Sequence, residues 1–194
     1  MEYRKNDIVT LEIVDCGTDG EGIGKADGFT VFVKDAVIGD IVTAKIMKAK
    51  KNYGYGRLME ILKPSPYRVE PVCPSARQCG GCQLQAVSYE EQKVFKEKKL
   101  RGHLERIGGF RDLPMEPMIG MDEPYHYRNK AQFPVGRNKE GRIITGFYAG
   151  RTHAIIENRD CALGIPQNKE ILDIVIAHME KYGIAPYDEM TGKG

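Results

Sequence analysis

The sequence predicts an α+β protein in which an N-terminal five-stranded, OB-like β-barrel precedes a smaller α+β domain carrying a cysteine cluster. Three observations lead there. Short β-branched runs alternate with glycine-bearing turns as far as Leu62, a proline-rich break follows directly, and Cys73, Cys79 and Cys82 then crowd into one turn-rich stretch. Short, evenly spaced strands separated by turn residues are the pattern of a small closed barrel.

The expected strands of the first domain, residues 1–62, are Ile8–Val14, Ile23–Ala26, Phe29–Val33, Asp40–Ile46 and Tyr55–Leu62. Val9-Thr-Leu-Glu-Ile-Val alternates apolar and polar residues, as a strand with one buried face does. Thr18-Asp-Gly-Glu-Gly and Asp27-Gly supply residues that tolerate the positive φ of tight turns. Lys63-Pro-Ser-Pro-Tyr-Arg-Val-Glu-Pro stiffens the chain and removes ladder donors, which places the domain boundary after Leu62 and assigns 63–194 to the second domain.

In that second domain, Ser88 and Glu91 have the spacing of a capping box, so a helix should start there and end near Gly108-Gly109. Phe95, Leu100, Leu104 and Ile107 give it an imperfect apolar stripe amid many basic residues, the pattern of a surface helix packed along one side. Asn129–Val135 and Arg142–Ala149 read as a hairpin turning through Asn138–Gly141, followed by a short strand at Ala154–Glu157. Pro166 should open a second helix with Ile171, Leu172, Val175, Ile176 and Met179 at helical spacing, and Gly183 should end it. The residues from Tyr187 to Gly194 hold turn formers without a domain's stop signal, and read as a cut rather than a natural terminus.

Composition narrows the class. The 194 residues are 41% hydrophobic and 29% charged without Trp, which suits a soluble globular protein. No apolar stretch approaches the ~20 residues of a membrane-spanning helix, and the first residues lack the order of a signal peptide, so the cytoplasm is the expected compartment. A net charge of only +2 does not announce a nucleic-acid binder, and local patches must carry any such reading.

Five cysteines in a reducing compartment argue for metal or cluster ligation over disulfides. In Cys73-x5-Cys79-x2-Cys82 the glycines Gly80 and Gly81 let the backbone curl between ligands, and Cys161 is the candidate for a fourth thiolate. Zinc sites favour paired C-x2–4-C units, whereas a tight triplet plus one remote cysteine is closer to iron–sulfur ligation; spacing alone leaves both metals open. Cys16 stands apart and reads as a small buried hydrophobe.

Two patches mix cations with aromatics. Lys45, Lys48, Lys50, Lys51 and Arg57 surround Tyr53 and Tyr55 in the barrel, and Arg128 and Lys130 accompany Tyr125, Tyr127 and Phe133 in the second domain. Cations that neutralise phosphate beside aromatic faces that stack on bases are the ingredients of single-stranded RNA recognition, although a solvated loop over core aromatics has the same composition.

At the cysteines a resemblance enters. Cys73-Pro-x4-Cys79-Gly-Gly-Cys82-x2-Gln85 resembles the cluster motif of the class I RNA 5-methyluridine methyltransferases (RumA/TrmA family). Tyr127-Arg-Asn-Lys-Ala-Gln-Phe and Gly146-Phe-Tyr-Ala resemble strands of that family's central domain, and the N-terminal barrel resembles its TRAM domain. The resemblance covers essentially the whole chain. It implies a [4Fe–4S] cluster on Cys73, Cys79, Cys82 and Cys161, and RNA, ribosomal or transfer, as partner. It also implies that S-adenosylmethionine, the catalytic cysteine and the Rossmann-like methyltransferase domain belong to a further C-terminal region outside this chain. None of the five cysteines here is then catalytic, and the chain alone is expected to be inactive. In the implied reaction a cysteine adds to uracil C6 to make C5 nucleophilic. No residue sets an oligomeric state, and a monomer is the default expectation. Two other readings compete: a stand-alone RNA-binding module, and a radical S-adenosylmethionine enzyme, whose C-x3-C-x2-C motif and usually C-terminal barrel do not match this order.

Overall fold

The computed structural model describes residues 3–194, in two compact units. The first runs up to Glu70 and includes Gln83–Gly120; the second joins Pro71–Cys82 to Met121–Gly194. The sequence places a boundary after Leu62, at the end of the last barrel strand, while the first compact unit reaches further because later residues bond back to it.

Five strands, β1 (Ile8–Cys16), β2 (Gly22–Ala26), β3 (Phe29–Lys34), β4 (Ile41–Ala49) and β5 (Tyr53–Lys63), close a barrel in the order β1-β2-β3-β5-β4. All pairs are antiparallel except β3 with β5, which run parallel. The alternation expected from the sequence fills the interior with Val9, Leu11, Ile13, Phe29, Val31, Val33, Val42, Ala44 and Ile46. Asp27 and Gly28, at φ 47° and 83°, make the two-residue β2–β3 turn that the dipeptide predicts. The strands run a few residues longer than expected, and Asp40 is not part of β4 but a fully buried carboxylate just before it.

That carboxylate ties down the chain beyond β5. It accepts hydrogen bonds from Val37 N–H (2.7 Å), Ser65 N–H (2.8 Å) and the Arg68 guanidinium, through Nε at 3.1 Å and Nη2 at 2.5 Å. Arg68 Nη2 also donates to Asp35 O at 2.9 Å. The proline-rich stretch therefore begins as part of the barrel.

In the same unit, α1 (Tyr89–Arg106) follows a turn in which Ser88 N–H donates to Tyr67 O at 2.9 Å. Ser88 is the N-cap, but the capping box does not form, because its side chain makes no capping hydrogen bond. Gln92 fixes the entry instead, its Nε2 donating to Val87 O (2.9 Å) and Leu84 O (3.2 Å). The expected stripe is only partly covered: Phe95 and Leu104 are half-buried, Leu100 and Ile107 exposed, and no α1 side chain is buried. Charged residues interrupt the stripe too often for one continuous face.

The second unit holds a meander of β6 (Val135–Arg137), β7 (Ile143–Tyr148) and β8 (Ile155–Glu157), with α2 (Gln167–Tyr182) packed on β7. The β6–β7 turn is as expected, with Asn138 Oδ1 accepting from Glu140 N–H and Arg142 N–H. The strand expected over Asn129–Val135 shrinks to its last residue and two beyond. Pro134 has no N–H to give a ladder, and the chain before Asn129 bonds elsewhere: His126 N–H to Ala162 O and Arg128 N–H to Leu163 O. On α2 only Leu172 and Ile176 are buried, and Gly183 ends the helix in the left-handed conformation. Among the described residues no helix is long and apolar enough to cross a membrane.

Candidate RNA interface and thiolate site

On the outer face of the barrel, strand register assembles three rows. Phe32 lies between Ile23 of β2 and Tyr55 of β5, and Tyr55 in turn faces Lys48 of β4. One row away, Lys34, Arg57, Lys45 and Ile8 are neighbours across four strands; on the other side come Lys25, Thr30 and Tyr53. Basic residues outnumber acidic ones in these rows, the exposed acid being Asp15, paired with Ile23 where the first row reaches β1. The three rings form one cluster, with centroids 5.6 Å apart for Phe32–Tyr55 and 5.9 Å for both Phe32–Tyr53 and Tyr53–Tyr55. Tyr53 and Tyr55 are 39% and 38% exposed, so part of each ring stays open to solvent.

Lys45, Lys48, Tyr53, Tyr55 and Arg57 are thus gathered as the sequence suggests, and exposed Lys50 and Lys51 sit at the β4–β5 turn. The sequence reading missed Phe32, Lys25 and Lys34. The signal was present, since Phe29, Val31 and Val33 point inward and so place Phe32 and Lys34 outward. In the second unit Tyr127, Arg128 and Lys130 are exposed, whereas Phe133 is half-buried against Phe147, centroids 4.9 Å apart, and acts in packing.

Cys73, Cys79, Cys82 and Cys161 all belong to the second unit, and none of the five cysteines is in a disulfide. The segment Cys73–Cys82 is wound by turns, with Ala76 N–H on Cys73 O and Cys79 N–H on Ser75 O, and stitched to the end of β7 by a bridge between Cys79 and Ala149 and by Gly80 N–H on Tyr148 O at 3.0 Å. A Cβ on Gly80 would lie 3.0 Å from backbone atoms of Tyr148 and Gly150, so only glycine fits there without displacing backbone. Gly80→Val should therefore cost about 1–3 kcal/mol, read as a lower denaturation midpoint at unchanged m.

Two N–H donors point at these sulfurs. Cys73 is buried and its Sγ accepts from Asn158 Nδ2 at 3.5 Å, while Cys79 Sγ accepts from Gly81 N–H at 3.3 Å. Burial pushes the Cys79 thiol up; the Gly81 N–H opposes this, and the nearby sulfurs of Cys73 and Cys161 add to the rise. Thiolates that repel one another in this way are stabilised by a shared cationic centre. Asn168 Nδ2, on the first turn of α2 beside the Cys161–Gly164 loop, is buried without a hydrogen-bond partner among the described residues, one more donor facing inward. By chemistry alone, four thiols are a donor set of the kind that zinc ions and iron–sulfur clusters take. Among the described residues no three His, Cys, Asp or Glu side chains are grouped so as to hold a single metal ion. Cys16 lies apart, half-buried rather than buried, its thiol pushed up to about 11 by burial, which Lys99 opposes and Asp15 and Glu21 reinforce.

The TRAM domain family matches residues 4–59, the span of the barrel. An uncharacterized RNA methyltransferase of Clostridium tetani is 44% identical over 194 residues, all of this chain and 42% of that protein. The chain is similar over its whole length to members of this RNA methyltransferase family. A second member, from Halalkalibacterium halodurans, is 44% identical over 98% of the chain and 42% of its own length. The chain thus spans about two fifths of the curated relatives it matches. The crystal structure of the Pyrococcus abyssi tRNA (uracil-54, C5)-methyltransferase in complex with S-adenosyl-L-homocysteine shares the fold over 95% of this chain and 40% of that one, with a TM-score of 0.65 at 23% identity. The barrel here is the part that matches the TRAM domain.

Proposed function

We propose that this chain is the RNA-holding, metal-carrying part of an S-adenosylmethionine-dependent RNA (uracil-C5) methyltransferase acting in the cytoplasm on ribosomal or transfer RNA. The barrel, residues 1–62, binds RNA, and residues 63–194 carry a [4Fe–4S] cluster on Cys73, Cys79, Cys82 and Cys161. The observation that carries the RNA reading is the patch on the TRAM barrel in which three partly open rings are flanked by Lys25, Lys34, Lys45, Lys48 and Arg57. Bases of unpaired RNA stack on such rings while the cations neutralise phosphates. On the second unit, exposed Arg128 and Lys130 are separate candidates for phosphate contact.

The target uridine has to leave its stack to react, so RNA must be held open on either side of it; that is the task of the patch. The methyl donor, the nucleophilic cysteine and the base that removes the C5 proton lie outside this chain, which by itself binds without turning over. A bound [4Fe–4S] group supplies cross-linking between the Cys73–Cys82 segment and Cys161. Methyl transfer by this route moves no single electron, so the cluster's part is to organise the second unit and the RNA contacts on it.

Two measurements test the reading. The chain should bind single-stranded RNA with log K falling by about 0.7 per neutralised phosphate for each decade of salt; binding that ignores salt and prefers no unpaired RNA over duplex refutes the RNA part. After anoxic purification it should carry about four iron and four sulfide. Zinc without sulfide instead defeats the cluster and leaves a zinc-stabilised RNA-binding module. Cys79→Ser should lose iron and RNA affinity together, and a variant that loses iron yet folds and binds as before refutes the organising role.

A further inference from the structure

We propose that Asn158 is a positioning residue of the thiolate centre, one that fixes the Cys161 loop through its oxygen and tunes the centre through a hydrogen bond from its nitrogen to Cys73. The inference rests on the metal-centre reading above and concerns a residue that is not itself a ligand.

The orientation of the carboxamide is set by its partners. Asn158 Oδ1 accepts the N–H of Asp160 at 3.0 Å, the turn that leads the chain into Cys161. With the oxygen so engaged, Nδ2 is the end turned to Cys73 Sγ, at 3.5 Å. The backbone is held as well, Asn158 N–H donating to Thr145 O at 3.1 Å, next to the buried β7 residues. A single short side chain therefore links a sulfur of the cysteine-rich segment to the backbone that presents the remote cysteine. Cys79, by comparison, receives a backbone N–H from Gly81.

The chemistry follows from where charge accumulates. A hydrogen bond to an anionic sulfur favours the more negatively charged state, and donors around an iron–sulfur centre raise its reduction potential. Outer partners of this kind also hold ligands in register, and their loss typically weakens metal binding by about 10–100-fold.

Asp and Ser substitutions separate the two roles. Asn158→Asp keeps an oxygen for the Asp160 N–H and so keeps the turn, but removes the donor to sulfur and puts a carboxylate beside it. Asn158→Ser keeps a shorter acceptor, adds no charge and cannot donate to Cys73 from the same place. With anoxically purified, iron-loaded chain, both variants should melt as the parent does, release iron to a chelator about tenfold faster, and show a lower midpoint potential, more so for Asp. A potential and iron release equal to the parent's in both variants overturn the proposal, because a turn-forming role alone is satisfied by either. If Asp fails to fold, the Ser variant decides by the same two readings. A parent chain that binds no iron and sulfide defeats the metal-centre reading itself, and this inference with it; a parent that binds the cluster with unaffected variants defeats only the inference.

Discussion

Asp40→Ala should lower the stability of the first unit by about 3 kcal/mol, the largest single-site effect expected in the barrel. The substitution removes a fully buried carboxylate that serves two backbone N–H groups and the Arg68 guanidinium, leaving buried donors without acceptors and a cation at 20% exposure without its partner. In a barrel of this size a loss of about 3 kcal/mol moves the melting temperature down by roughly 12–24 °C. The pH dependence has a definite sign. Burial by itself would raise the Asp40 carboxyl, but the Arg68 guanidinium and the Val37 and Ser65 N–H groups outweigh it and hold the carboxyl below its usual range. The unfolded chain therefore binds the proton first. The contribution is complete above the ordinary carboxylate value and is lost as pH falls below that value and through the lower, folded one. Calorimetry between pH 7 and 2 should show the parent approaching the Asp40→Ala variant at the acid end; a gap that stays constant with pH means that the carboxylate's charge does not contribute.

Phe32→Ala combined with Tyr55→Ala should reduce single-stranded RNA affinity by at least tenfold, since each base that loses an aromatic platform forfeits about 1–3 kcal/mol. The two rings are neighbours in one row and 5.6 Å apart, so a base on one lies beside the other, and replacing both avoids compensation. Lys48→Ala, at the end of the same row, provides the contrast: it should weaken binding uniformly across sequences and reduce the salt slope by about one contact. Retained RNA affinity in the doubly substituted chain, with its melting temperature within a few degrees of the parent, rules out the patch as the binding face.

Much of this architecture can be read from local patterns, because those patterns are short-range physics. Val9, Leu11 and Ile13 alternate, Asp27-Gly28 turns, and Gly183 ends α2. What the sequence hides is whatever depends on distant pairing. Phe32 joins Tyr53 and Tyr55 only because β3 and β5 pair in parallel, a partnership between strands separated by the whole of β4. Asn158 meets Cys73 only across the folded second unit. Local signals also misled where a competing bond was available: Ser88 and Glu91 have capping-box spacing, yet Gln92 holds the helix start, and Pro134 interrupts a run that otherwise resembles a strand.

The interleaving of the two units has a consequence for how the protein is made. The chain leaves the first unit after Glu70, supplies Pro71–Cys82 to the second, returns for Gln83–Gly120 and then departs again. A ribosome therefore delivers the cysteine-rich segment before the first unit is complete, and three thiols emerge into the cell while Cys161 has yet to be synthesised. Until that residue arrives the three thiols are open to oxidation without their proposed fourth companion. A cluster of the proposed kind can therefore be completed only once Cys161 has been made, and slow translation between Gly120 and Cys161 would prolong the exposed interval.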